Sequence, residues 1–162
     1  IRTLLRDGRI DFAGRHFTLR DCELRPRGPR PGGPPLMVGA RGEQMLRATL
    51  PHVDAWNGWY AWSGNTVAGY RPFHEQVDRI AAEVGRDPAT IERTMAVEVH
   101  LPGNDGTHDP RSTVLAGEPE ELATFLRHLA ADGVSHAMIV LNPNTCEAIE
   151  QFAPVMELLE KP

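Results

Sequence analysis

The chain has 162 residues, 41% of them hydrophobic, and a formal net charge of −5; that is enough for one domain with a core of its own, held without disulfides or a metal. Its two cysteines, Cys22 and Cys146, make no framework, and no run approaches the roughly 20 apolar residues of a membrane span or the apolar core of a signal peptide. The expectation is a soluble, cytoplasmic protein with no membrane partner. Residues 1–50 carry ten Arg against five acids and the remainder seven bases against seventeen acids, but the Arg are spread singly through loops without interleaved aromatics, which argues against a nucleic-acid partner.

In chain order, residues 1–8 read as the last turns of a helix stopped by Gly8, as in a chain already in progress. Ile10, Phe12, Phe17 and Leu19 alternate with polar residues around Ala13-Gly14-Arg15, a hairpin pattern. Arg25 to Pro35 (RPRGPRPGGPP) is a Pro/Gly connector that cannot join a central sheet. The segment Pro34 to Asn57 then packs several elements together. Leu36, Met37 and Val38 form a strand that Gly39 stops, Gly42 opens a helix with Met45, Leu46 and Leu50 on one face, and Val53 to Trp56 returns as a strand. A turn of this kind directs free backbone N–H groups outward from the carboxyl end of a strand, where an anion can sit. The alternative is that Gly39 and Gly42 merely permit a tight turn.

A Gly/aromatic loop (GWYAWSGN) leads to a helix with Val67, Tyr70, Phe73, Val77, Ile80 and Val84 at helical spacing. Arg93 to Leu101 (RTMAVEVHL) reads as a strand, GNDGTHDPRST as a loop, and Glu118 to Ala131 as a helix with Leu122, Phe125, Leu126 and Leu129 on one face. His136 to Leu141 reads as a buried strand, and Thr145 to Leu159 as a helix burying Ile149, Phe152, Met156 and Leu159. Four strand-helix units in series imply parallel strands with right-handed crossovers, an α/β fold. Either an open doubly wound sheet or the second half of a (β/α)8 barrel satisfies that pattern, the whole barrel needing roughly 250 residues. Residues 1–35 would be helix remnant, hairpin and connector, and residues 36–162 the four βα units.

Other constellations are weaker. His74-Glu75-Gln76-Val77-Asp78 misses the H-E-x-x-H zinc helix by one residue, and its His74 and Glu75 are expected in solvent, so no metal is assigned. Asp105, His108 and Asp109 sit in a loop that reads as a solvated turn. Trp56, Trp59, Tyr60 and Trp62 form the densest aromatic cluster; Trp56 suits the core or a barrel interior, and the others could line a pocket, cap a rim or meet another subunit. Asp54, in the strand just before them, has no partner placed for general-base work and reads as a structural acid. No nucleophile elbow, CxxC pair or Walker-type loop is present, and no catalytic residue is identified.

In order and spacing, Gly14 to Pro35, PPLMVGARGEQMLR, His52-Val53-Asp54-Ala55-Trp56-Asn57, Gly85-Arg86-Asp87-Pro88, Gly117-Glu118-Pro119-Glu120-Glu121-Leu122 and Gly133-Val134-Ser135-His136 resemble the luciferase-like monooxygenase family. The resemblance implies strands five to eight of a (β/α)8 barrel, with the cofactor-ring pocket and most substrate contacts belonging to a first half not present in these residues. It also implies a cofactor, FMN or a deazaflavin of the coenzyme F420 type, whose phosphate end is held by the turn after strand five: Gly39, Ala40, Arg41 and Gly42, with Gln44 one turn into the helix. Relatives often carry two adjacent glycines where this chain has Gly39-Ala40, which favours the backbone of the turn over the Arg41 side chain. Trp56, Trp59 and Trp62 are the candidate pocket for a small organic substrate. The expected function is thus the cofactor-phosphate side of a flavin- or deazaflavin-dependent oxidoreductase, inactive as this chain alone. The alternative is a non-catalytic half-barrel module that binds a phosphorylated ligand or forms a homodimer.

Overall fold

The computed structural model describes residues 1–102 and 113–160, so Asp105, His108 and Asp109 lie outside the described residues. The chain divides into two compact units, Ile1–Leu36 and Met37–Pro162. In the first, helix α1 (Arg2–Asp7) ends on Gly8, whose φ of 77° needs a residue without a Cβ and whose N–H bonds to the Leu4 carbonyl. Strands β1 (Arg9–Ala13) and β2 (Thr18–Glu23) follow as an antiparallel hairpin with a register shift between Ile10 and Phe12. Opposite that shift Asp21 takes a φ of 52°, and the Asp11 carboxylate accepts its N–H at 2.6 Å.

The second unit is a parallel sheet of four strands, β3 (Met37–Val38), β4 (Ala55–Gly58), β5 (Glu92–His100) and β6 (His136–Asn142), lying side by side in chain order. A doubly wound sheet would reverse direction at a switch point. This one does not; each strand pairs with its successor, as consecutive βα units of a barrel do. Helices α2 (Glu43–Thr49), α4 (Val67–Glu83), α5 (Pro119–Ala131) and α6 (Cys146–Glu160) alternate with the strands. The Trp59–Asn65 segment, expected as loop, holds a single-turn helix α3 (Tyr60–Ser63) closed by Gly64 at φ 62°.

One layer of the core is the space between β5 and α4. Met95, Val97, Tyr70, Val77 and Ile80 are fully buried in the unit, each large side chain contributing about 1.5–3 kcal/mol by burial. Thr66 caps α4 by accepting the Gly69 N–H, and Glu118 opens α5 with a capping box closed by Glu121.

Several expectations of burial need correcting. In α2 only Leu46 goes inside, with Leu50 just past its end, while Met45 is 55% exposed. In α6 the buried stripe is Ala148, Phe152 and Val155, one step round from the expected face, which leaves Ile149 and Met156 outside. Pure periodicity could not choose between these stripes because the helix is apolar on both. Strand β6 is half-buried rather than buried, since it is the outer strand of the sheet with one neighbour. No helix among the described residues is long and apolar enough to cross a membrane.

Candidate functional site

In a parallel α/β sheet the carboxyl ends of the strands and the loops that follow them form the ligand-binding edge. At the end of β3 the chain turns through Gly39, Ala40, Arg41 and Gly42 into α2, with Gly42 as N-cap at φ −78°, ψ 130°. Neither Gly39 nor Gly42 has a positive φ, so the turn does not demand glycine. What the glycines provide is room: a Cβ on Gly42 would meet nothing within 4 Å, and one on Gly39 only the Asn57 carbonyl at 3.8 Å. Gly39, Arg41, Gly42 and Gln44 are exposed, whereas Ala40 is buried and its carbonyl accepts the Trp56 indole N–H at 2.7 Å. Helix α2 has only seven residues, so its dipole adds little; an anion here would depend on the open backbone and on Arg41. Glu43, in the first turn, is taken up by Arg79 and Arg47, which hold its carboxyl below the usual range.

The structure brings the turn and the aromatic loop together. The Arg41 guanidinium stands 6.0 Å from the centre of the Trp62 ring, at the outer limit of a cation–π contact. Trp59, 38% exposed, stacks on Tyr60 with ring centres 4.5 Å apart. Trp56 belongs elsewhere. It is fully buried, against Tyr70 at 5.7 Å and His74 at 6.1 Å, both on α4. Strand alternation turns it to the helix layer, so it packs the core and anchors the turn through Ala40 rather than lining a pocket.

His74 also needs correction. It was expected in solvent beside Glu75, yet it is 9% exposed, its ring 4.0 Å from that of Tyr70. Burial, with the charge of Arg93 added, pushes it down to about 4. Asp78, the other end of the H-E-x-x-D segment, pairs with Arg93 instead of approaching a metal. Among the described residues no group of three or more His, Cys, Asp or Glu is placed to hold one.

The sequence reading missed Glu98 and His100. They alternate on β5 with Val97 and Val99, on the face where Thr94 meets Asn57 at 2.8 Å, away from the helix layer. Their side chains are 7% and 8% exposed, and Glu98 Oε2 lies 3.4 Å from His100 Nε2. Asn65, 2% exposed with φ 57°, fastens this part of the strand: its amide donates to the Glu98 carbonyl at 2.7 Å and accepts the Glu98 N–H at 3.2 Å. Two polar residues two apart in an otherwise apolar strand, VEVH, were the signal that could have found them. An acid and an imidazole near the carboxyl end of a strand can hold or pass a proton.

A sequence model of the luciferase-like monooxygenase family matches residues 1–106. The chain belongs to the luciferase-like monooxygenase family. It is 29% identical over 97 residues to the pyrimidine monooxygenase RutA of Cronobacter sakazakii, covering 60% of this chain and 28% of that protein. In fold it resembles the coenzyme F420-dependent tetrahydromethanopterin reductase of Methanopyrus kandleri, with a TM-score of 0.71 at 14% identity over 98% of this chain and 60% of that one. It also resembles riboflavin lyase RcaE, whose structure holds modified FMN and riboflavin, with a TM-score of 0.70 at 14% identity over 94% of this chain and 48% of that one. The chain thus spans less than two thirds of the length of each of these relatives. Among these structural neighbours the reductase is F420-dependent and riboflavin lyase was solved with modified FMN.

Proposed function

We propose that this chain supplies the cofactor-phosphate side of a luciferase-like oxidoreductase acting with FMN or a deazaflavin, its four βα units forming the carboxyl-terminal half of a (β/α)8 barrel. The observation that carries this reading is the Gly39–Gly42 turn: two glycines that the backbone does not require keep open the space in front of the main chain at the end of β3. Backbone N–H groups and Arg41 would hold the phosphate, with Gln44 beside them. The bound cofactor would supply hydride transfer or oxygen activation. The chain's own residues would orient it, and Trp59 and Trp62 would shield its surroundings from water. Glu98 and His100 would keep a proton at the same end of the sheet. The remaining units of the barrel would bring the ring pocket and the substrate.

Titration of the chain with FMN and with riboflavin tests this. FMN, which alone of the two carries a phosphate, should bind about tenfold or more tightly, and replacing Arg41 by Ala should remove most of that advantage. Equal affinity for the two would sink the phosphate role, and turnover by the chain alone would sink the half-site claim. A second reading, a non-catalytic module that homodimerises, is favoured by the exposed apolar residues Ile149 and Met156 on α6; a discrete dimer in sedimentation that binds neither compound supports it.

A further inference from the structure

Helices α2 and α4 are joined by a closed ring of four charges. Glu43 and Arg47 lie one turn apart on α2, Arg79 and Glu83 one turn apart on α4, and each arginine reaches both acids. Every carboxylate oxygen in the ring is engaged. Glu43 Oε1 accepts from Arg79 at 2.5 Å and its Oε2 from Arg47 at 3.5 Å. Glu83 Oε1 accepts from Arg79 at 2.8 Å and its Oε2 from Arg47. The contact along α2 is the longest of the four, so Glu43 is held across the gap by Arg79 more than by the arginine of its own helix.

All four side chains are exposed, at 38% to 49%, a setting in which ion pairs add little to stability. The ring matters for where it puts one charge. Glu43 follows Gly42 directly, so it is the acid nearest in sequence to the Gly39–Gly42 turn. A carboxylate in the first turn of a helix is ordinarily drawn toward the backbone N–H groups there. In this chain it is drawn instead along α2 to Arg47 and across to α4. The arginines hold both carboxyls below their usual range, so Glu43 stays ionised near pH 7. Released from them, it would set a full negative charge beside the open space in front of the turn.

We infer that Arg79, with Arg47, is a positioning residue for the cofactor-phosphate turn: it holds the Glu43 carboxylate against α4, so that the turn admits a phosphate instead of repelling it. This rests on the phosphate reading of the turn given above. The test is the ratio of FMN to riboflavin affinity, read from quenching of flavin fluorescence by the full chain. Arg79→Gln with Arg47→Gln should lower that ratio by about five- to tenfold, the size of the repulsion between a phosphate and a carboxylate a few ångströms apart at a protein surface, with riboflavin affinity unchanged. Adding Glu43→Gln should restore the ratio. Adding Glu83→Gln in its place makes the same change of charge farther along the chain from the turn, and should not. A merely structural ring predicts no such rescue, because each added substitution removes another of its members. Should the double arginine variant not fold, Arg79→Gln alone, with and without Glu43→Gln, carries the same comparison. If the unsubstituted chain binds FMN no better than riboflavin, the phosphate reading fails and the positioning role with it. If it prefers FMN but the arginine variant keeps that preference, or the two glutamate substitutions restore it alike, or neither does, the positioning role alone is overturned.

Discussion

At the scale of single residues, His74 and Gly42 show how environment sets behaviour that residue type does not. An unfolded His takes its proton near pH 6.5, whereas His74 in the fold waits until about 4, held down by burial first and Arg93 second, with Asp132 and Asp78 pulling the other way. As pH falls through that window the unfolded chain gains a proton that the native chain refuses, so stability is lost on acidification and is whole above pH 6.5. The loss between pH 7 and 4.5 should be on the order of 2 kcal/mol by urea unfolding, and His74→Gln should remove that part of the slope. Gly42 makes the opposite case. Its φ of −78° and its open Cβ position make Gly42→Val nearly silent for folding, within about 1 kcal/mol. The same substitution should abolish the preference for FMN over riboflavin, because the new side chain would fill the space the phosphate needs.

At the scale of elements, Asn65 links the α3–α4 junction to β5 by two hydrogen bonds to the backbone of Glu98. Asn65→Ala strips both from a buried strand and puts a side chain without a polar group into a left-handed conformation. The expected cost is about 2–4 kcal/mol, measured by denaturant unfolding. Helix α6 carries the complementary lesson. Leu141, Ile149, Phe152 and Met156 line a groove of about 360 Å³. Ile149→Lys with Met156→Lys should leave the unfolding midpoint nearly unchanged and reduce self-association of the chain in sedimentation velocity. The elements themselves were legible in the sequence because strand runs, capping residues and stop glycines are local signals. Faces were less so: α2 and α6 hold more apolar residues than one neighbour can cover, and only packing decides that Leu46 goes inward and Met45 does not. Of the site, the turn was legible from its glycines. Glu98 and His100 were not, because a strand's polar face reads as solvent until the burial of both faces is known.

At the scale of the molecule, the second unit is an open parallel sheet whose outer strands are β3 and β6. Open edges invite further pairing. The winding was legible from four strand-helix units in series; its direction was not, since a doubly wound sheet begins with the same pattern, and only the order of the strands separates the two. That order has a consequence for assembly in time. Met37 lies beside Ala55, Ala55 beside Glu92 and Thr94 beside His136, so no strand waits for a partner beyond the next one to be made. A sheet laid down in this way can grow by one unit at a time as the chain leaves the ribosome, each new strand finding its template already in place.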